Sequence, residues 1–303
     1  MHQHYEFGAT LQASQKVNWQ VDDIIGGAHR LEFKRNFLPE SLARTNQLRF
    51  LDGEEKRVLN QIRGRGYLYM FGLVEEFILP FVLDHVRQHL AQDDLRTRAY
   101  LQFAGEEAKH IHLFKRFAEA FDAGFATPCD LIGPPQDIAA AVLAQDPLSV
   151  ALLILQIEWM TQRHYLDSVK DDSLLDPLFK SLLKHHWMEE AQHAKLDTLM
   201  VLELARERSP ESIAAAIEGY LALGGTFDAC LAQQAKFDMQ TLARATRRVL
   251  GEAEQGIFLQ EQHQAQRWTF IGSGMSHANF LDTIRTIAPG AEKRLAELAP
   301  SFS

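Results

Sequence analysis

Glu106-Glu107-Ala108-Lys109-His110 and Glu189-Glu190-Ala191-Gln192-His193 decide how this chain is read. Each run sets a glutamate and a histidine three positions apart, Glu107 with His110 and Glu190 with His193, inside stretches whose apolar residues recur every three or four. That period predicts long amphipathic helices, on which residues three apart share a face. A carboxylate beside an imidazole is a metal-ligating pair, and two such pairs suit a dinuclear site. One pair alone carries little weight, so the surroundings of both have to agree.

The pattern gives almost no strand signal, and an all-α chain is expected. Helices are predicted at about 54–90, 96–121, 148–170 and 175–207, then at about 210–222, 228–262, 277–287 and 290–298. The first 50 residues read as an arm with short helical pieces. Turns fall near Ala91-Gln92-Asp93-Asp94 and Asp171-Asp172-Ser173-Leu174. Between the helix pairs, Phe121 to Pro147 carries Pro128, Pro134, Pro135 and Pro147, a crossover too rich in proline for one helix. Gly272-Ser273-Gly274 reads as a helix break, since no strand precedes it to make a nucleotide loop.

Antiparallel helices rise at the same rate, so residues equidistant from a turn lie at one height. Glu76 precedes Glu107 by 31 residues and Glu158 precedes Glu190 by 32, each pair nearly centred on its turn. Two helical hairpins, each setting one glutamate opposite one Glu-x-x-His, would surround a common site, the arrangement of ferritin-like dinuclear bundles. Apolar surroundings point the same way. From Tyr67 to Leu83 the only charged residues are Glu75 and Glu76, and from Ser149 to Met160 the only one is Glu158. A carboxylate there needs a compensating cation, and neither stretch offers Lys or Arg. The 67–83 run, interrupted by two acids, is short of the roughly 20 residues of a membrane span. Between the two acids, Glu76 is selected because its helical stripe is mostly core-like, whereas that of Glu75 meets Arg57, Gln61, His85 and His89. His186 joins the set, four before Glu190 and seven before His193 on the same face. Glu106 and Glu189 either face outward or hydrogen-bond the ligands.

The expected ligands are therefore Glu76, Glu107, His110, Glu158, His186, Glu190 and His193. The expected fold is a ferritin-like four-helix bundle over about 54–207, with an N-terminal arm and a C-terminal helical extension over about 208–303, the whole of 1–303 forming one domain. The ligand pattern, with a histidine one turn before the last Glu-x-x-His, resembles the di-iron oxygenases typified by p-aminobenzoate N-oxygenase. The resemblance covers roughly residues 54–207. It implies two iron ions, dioxygen as co-substrate, and oxidation of a small organic molecule, by N-oxygenation of an aryl amine or by hydroxylation. Manganese, or one ion of each metal, fits the same donors. The alternative is a ferritin-like metal oxidase, iron-storage protein or peroxide scavenger.

Composition sets the remaining expectations. Thirty-one basic against 40 acidic residues give a formal charge of −9, and no Lys/Arg block stands out, which disfavours nucleic acid and anionic membrane as partners. Cys129 and Cys230 form no CxxC and fit a reducing compartment. The opening MHQHYEFGATLQASQ has no basic-then-apolar leader, so a cytoplasmic location is expected. No dinucleotide or Cys-rich motif appears, and electrons are expected from an external donor. Homodimerisation stays open.

Overall fold

The computed structural model describes residues 5–91 and 94–303; among these, helices, turns and one isolated bridge between Asn36 and Leu175 make up the regular structure. Three short helices lie in the arm: α1 (Phe7–Ser14), α2 (Val21–Ile24) and α3 (Glu40–Ala43). Next, α4 (Gly53–Arg87) packs along α5 (Asp94–Gly124). After a crossover holding α6 (Pro135–Leu143), α7 (Pro147–His164) packs along α8 (Pro177–Arg206). Of the first predicted turn, Gln92 and Asp93 lie outside the described residues.

The starts of these helices are written locally. Asp52 accepts from the backbone N–H groups of Glu54 and Glu55 at 2.9 Å, and Glu55 reaches back to the Asp52 N–H, a reciprocal cap. Helices α7 and α8 each open with Asp-Pro, where the proline fits the first turn and the aspartate caps it. Asp176 does more than cap α8. Its carboxylate also accepts from Glu32 N at 2.8 Å, and its own N–H donates to Asn36 O, fastening the arm to the bundle. Asn60 and Gln61 of α4 bind the arm backbone at Phe37, Leu38, Phe33 and Arg35.

The C-terminal third differs from the predicted division. Helix α9 (Pro210–Thr246) runs through Gly224-Gly225, where a break had been expected, and lies across α4 and α7. Two interior glycines cost a helix about 1 kcal/mol each, less than packing along two neighbours returns. The break comes instead at Arg247, whose φ of 57° ends the helix, and α10 (Glu252–Arg267) follows. A π turn over Trp268–Gly272 leads into α11 (Ser273–Met275), then α12 (Ala278–Ile287) and α13 (Ala291–Leu298). Gly272-Ser273-Gly274 is thus no break. Gly274 lies so close to the Gln156 backbone of α7 that a Cβ would overlap it.

Helix α4 is the one helix among the described residues long and apolar enough to cross a membrane, and 61% of its most apolar window is buried inside the protein. It serves as a core helix here.

Candidate metal centre

Four helices converge on one buried cluster. Helix α4 contributes Glu75, α5 contributes Glu107 and His110, α7 contributes Glu158, and α8 contributes His186, Glu190 and His193; none is more than 2% exposed. Glu75, His110, His186 and Glu190 present ligand atoms all within 4.8 Å of one another, as do Glu107, His110, Glu190 and His193. The two groups overlap at His110 and Glu190. His186 Nε2 is 2.9 Å from Glu75 Oε1 and 2.7 Å from Glu190 Oε1, and His110 Nδ1 is 3.0 Å from the same Glu190 oxygen. On the other side, His193 Nδ1 is 2.8 Å from Glu107 Oε1 and 3.2 Å from Glu190 Oε2. Glu158 belongs to neither four-residue group but hydrogen-bonds Glu190.

The choice of Glu76 is corrected. Its side chain is 34% exposed and pairs with Lys115 at 3.1 Å on the outer surface, while Glu75 points into the cluster. Stripe polarity misleads because two of the polar residues on the Glu75 face, Gln61 and His85, are themselves buried and hydrogen-bonded. Gln61 binds the arm, and His85 lies 3.2 Å from Glu203. A better signal was available: Glu75 precedes Glu107 by 32 residues, matching the 32 between Glu158 and Glu190.

Whether these residues suit metal ions is tested by their hydrogen bonds. Glu75 Oε2, Glu107 Oε2 and Glu158 Oε2 are buried without a hydrogen bond, and Glu107 Oε1 and His110 Nδ1 meet only other members of the cluster, His193 and Glu190, in poor hydrogen-bond geometry. Buried polar atoms are almost always paired, so unpaired carboxylate oxygens gathered from three helices in one cluster are what cation coordination would account for. Oxygen and imidazole donors without thiolate suit iron or manganese.

The outer ring nitrogens are held crosswise. His110 Nε2 donates to Glu189 of α8 and His193 Nε2 donates to Glu106 of α5, both at 2.8 Å. Glu106 and Glu189 thus do not face outward: both are buried and each accepts from a histidine of the cluster. Such carboxylates fix the ring and raise its basicity. Glu106 accepts in turn from Ser14 of α1 and from Gln102 at 2.9 Å; Glu189 accepts from Lys109, whose ammonium lies 3.9 Å from the Trp19 ring centre.

Electrostatics follow from burial and crowding. Burial and then repulsion from Glu107 and Glu190 push the Glu75 carboxyl well up; burial and Glu190 do the same to Glu158. Glu107 is raised by burial and Glu190. For Glu190, burial is outweighed by His186 and His193, which hold it well below the usual carboxylate range. Burial opposes a charge on His110, but Glu189 and Glu190 bring its pKa up to about 9. Without metal, protons stand in for the cations. Asp197, one turn beyond His193 and 2% exposed, is raised by burial too. The 186-190-193-197 spacing could have flagged it.

An apolar cavity of about 400 Å³ lies between α4, α7, α9 and the crossover helix, its walls including Leu73, Val74, Phe77, Leu153, Ile157 and Phe227. Val74 and Ile157 are the chain neighbours of Glu75 and Glu158.

No family model matches the sequence, and no curated protein is found similar to it. Solved structures are. The chain aligns with an alanine-to-phenylalanine variant of an R2-like ligand-binding oxidase, prepared anaerobically with a Mn/Fe cofactor, at a TM-score of 0.50 and 13% identity, covering 91% of this chain and 94% of that one. The fold is ferritin-like. A tyrosine-to-phenylalanine variant with a Mn/Fe cofactor aligns at a TM-score of 0.49 and 15% identity, covering 87% and 93%. A further variant, reconstituted aerobically with Fe/Fe, aligns at 0.47 and 14%.

Proposed function

We propose that this chain is a dinuclear-metal oxidase that uses dioxygen to oxidise a small, largely apolar organic substrate. The observation carrying this reading is the set of carboxylates and imidazoles that four helices gather in one buried cluster, unpaired carboxylate oxygens among them. Glu75, His110 and His186 would hold one ion, Glu158 and His193 the other, with Glu107 and Glu190 between them. Iron in both places is the preferred assignment, with Mn/Fe the alternative suggested by the cofactors of the similar structures.

When bound, such a pair of ions would pass two electrons from an external donor to dioxygen, the substrate giving the other two as it takes up one oxygen atom while the second leaves as water. The chain's own part is to position and to exclude water. Glu106 and Glu189 accept the outer N–H of His193 and His110, so that the inner nitrogen is the one a bound ion would meet, and apolar walls surround the carboxylates so that their charge meets little competing solvent. The cavity between α4, α7 and α9 would take the substrate, whose class is an aryl amine undergoing N-oxygenation or a comparable molecule undergoing hydroxylation. Reducing equivalents would come from an external donor.

The test loads the protein with iron, reduces it and measures dioxygen uptake with and without a panel of aryl amines. Substrate-dependent uptake with an oxidised product supports the reading, and Leu153→Trp should suppress it while leaving two ions bound. Growth of a ferric mineral core with no organic product would replace it by a storage function.

A further inference from the structure

Tyr67 lies two turns before Glu75 on α4 and is 3% exposed. Its ring centre is 4.6 Å from that of Phe71, and Phe71 meets His186 edge-on at 5.1 Å. Three rings in succession thus connect a buried phenol to an imidazole of the metal cluster. The phenol oxygen is also 3.2 Å from His164 Nδ1, and His164 Nε2 is 3.0 Å from Ser273 Oγ. Because the Ser273 hydroxyl donates to Thr269 O at 3.2 Å, its oxygen is left to accept from Nε2–H. That assignment leaves Nδ1 with a lone pair, so Tyr67 donates to His164.

The chain of hydrogen bonds sits at two irregular places in the backbone. His164 immediately precedes the π turn at Tyr165–Val169, and Ser273 immediately follows the π turn at Trp268–Gly272. Such turns are rare and concentrate at functional sites. Neither His164 nor Ser273 touches the metal cluster, and the function proposed above leaves both unexplained.

We propose that Tyr67 is redox-active: it gives one electron to the metal pair by way of Phe71 and His186, and its phenolic proton to His164. This rests on the reading of the centre as a dioxygen-using oxidase. In the step the Tyr67 O–H bond breaks, its proton forms the Nδ1–H bond of His164, and the electron reduces by one unit a centre that dioxygen has oxidised. Reduction of the phenoxyl radical returns the proton. Burial, with Arg163 nearby, pushes the His164 pKa down to about 3, so the imidazole takes no proton from the resting phenol. The radical cation of a phenol is a far stronger acid than a phenol, and a weak base suffices for it.

The experiment is rapid-freeze-quench electron paramagnetic resonance of the iron-loaded, reduced protein mixed with dioxygen, with metal content and dioxygen uptake measured on the same samples. Wild type and Tyr100→Phe, which removes another buried tyrosine, should show a tyrosyl signal; Tyr67→Phe should lose it with two ions still bound. His164→Gln should shorten its lifetime by about tenfold, the scale of one lost buried hydrogen bond. A wild-type protein that binds two ions and consumes dioxygen without a tyrosyl signal, or a signal that survives Tyr67→Phe, overturns the proposal alone. Failure to bind metal or consume dioxygen overturns the oxidase reading and this proposal with it.

Discussion

His110 donates its outer ring hydrogen to Glu189, the carboxylate next to Glu190 on the opposite helix, and His193 returns the arrangement with Glu106 beside Glu107. Each Glu-Glu-x-x-His run thus supplies a carboxylate and an imidazole to the cluster, and a support for the other run's imidazole. Glu189→Gln and Glu106→Gln should each weaken metal binding by about 10- to 100-fold, as loss of such supports generally does. Competitive titration against a chelator checks this. Unchanged affinity in both variants would remove any role for the crossed pairs.

Glu75 and Glu76 differ by one residue and should behave as opposites. Glu75→Ala is expected to lower the tightly bound metal from two ions to one or fewer. Glu76→Ala should keep both, and because the lost pair with Lys115 is solvent-exposed, stability should change by no more than about 0.5 kcal/mol. Elemental analysis and urea unfolding of both variants decide the matter.

Metal removal should loosen the bundle. Four acids facing one another must take up protons or move apart once cations are withdrawn, and the raised pKa of Glu75, Glu107 and Glu158 expresses that cost. Ions that bind only the folded chain stabilise it by about 2.7 kcal/mol at a hundredfold excess over Kd. The melting temperature should therefore rise with added ferrous or manganous ion. Superimposable curves for metal-free and loaded protein would contradict the site.

A pH effect follows from His164. Its folded pKa, pushed down to about 3 by burial, lies below the ordinary value of 6.5, so the unfolded chain binds the extra proton. Stability from this group is fully present above pH 6.5 and is lost as pH falls towards 3. Between pH 7 and pH 5 the loss should be about 2 kcal/mol. Urea unfolding of the metal-free protein at those two values should show a smaller drop for His164→Gln than for wild type.

Much of this was legible in the sequence because helices keep a fixed rise. The spacing of Glu158 and Glu190 about a polar turn predicted their common height, and the absence of Lys and Arg around Glu158 predicted its burial. Choosing between Glu75 and Glu76 by stripe polarity fails because a polar stripe need not face solvent. Gln61 and His85 are polar yet buried, since the arm and Glu203 supply partners that lie far away in the chain. The same blindness to distant partners explains α9. Gly224-Gly225 looks like a break when local propensity alone is weighed, and the packing of α9 over α4 and α7 has no signature within the segment itself.

The arm's attachments have a consequence for the order of events during synthesis. Ser14 reaches Glu106, and Glu32 and Asn36 reach Asp176, contacts spanning 92, 144 and 140 residues of chain. The arm leaves the ribosome before every helix it fastens, and cannot seat until α8 has been made. Contacts of such long range form late, because the loops they close must first be ordered. A bulky fusion placed just ahead of the arm would therefore interfere most at the last stage of folding, when Ser14 and Trp19 close over the carboxylates that steady the two histidines.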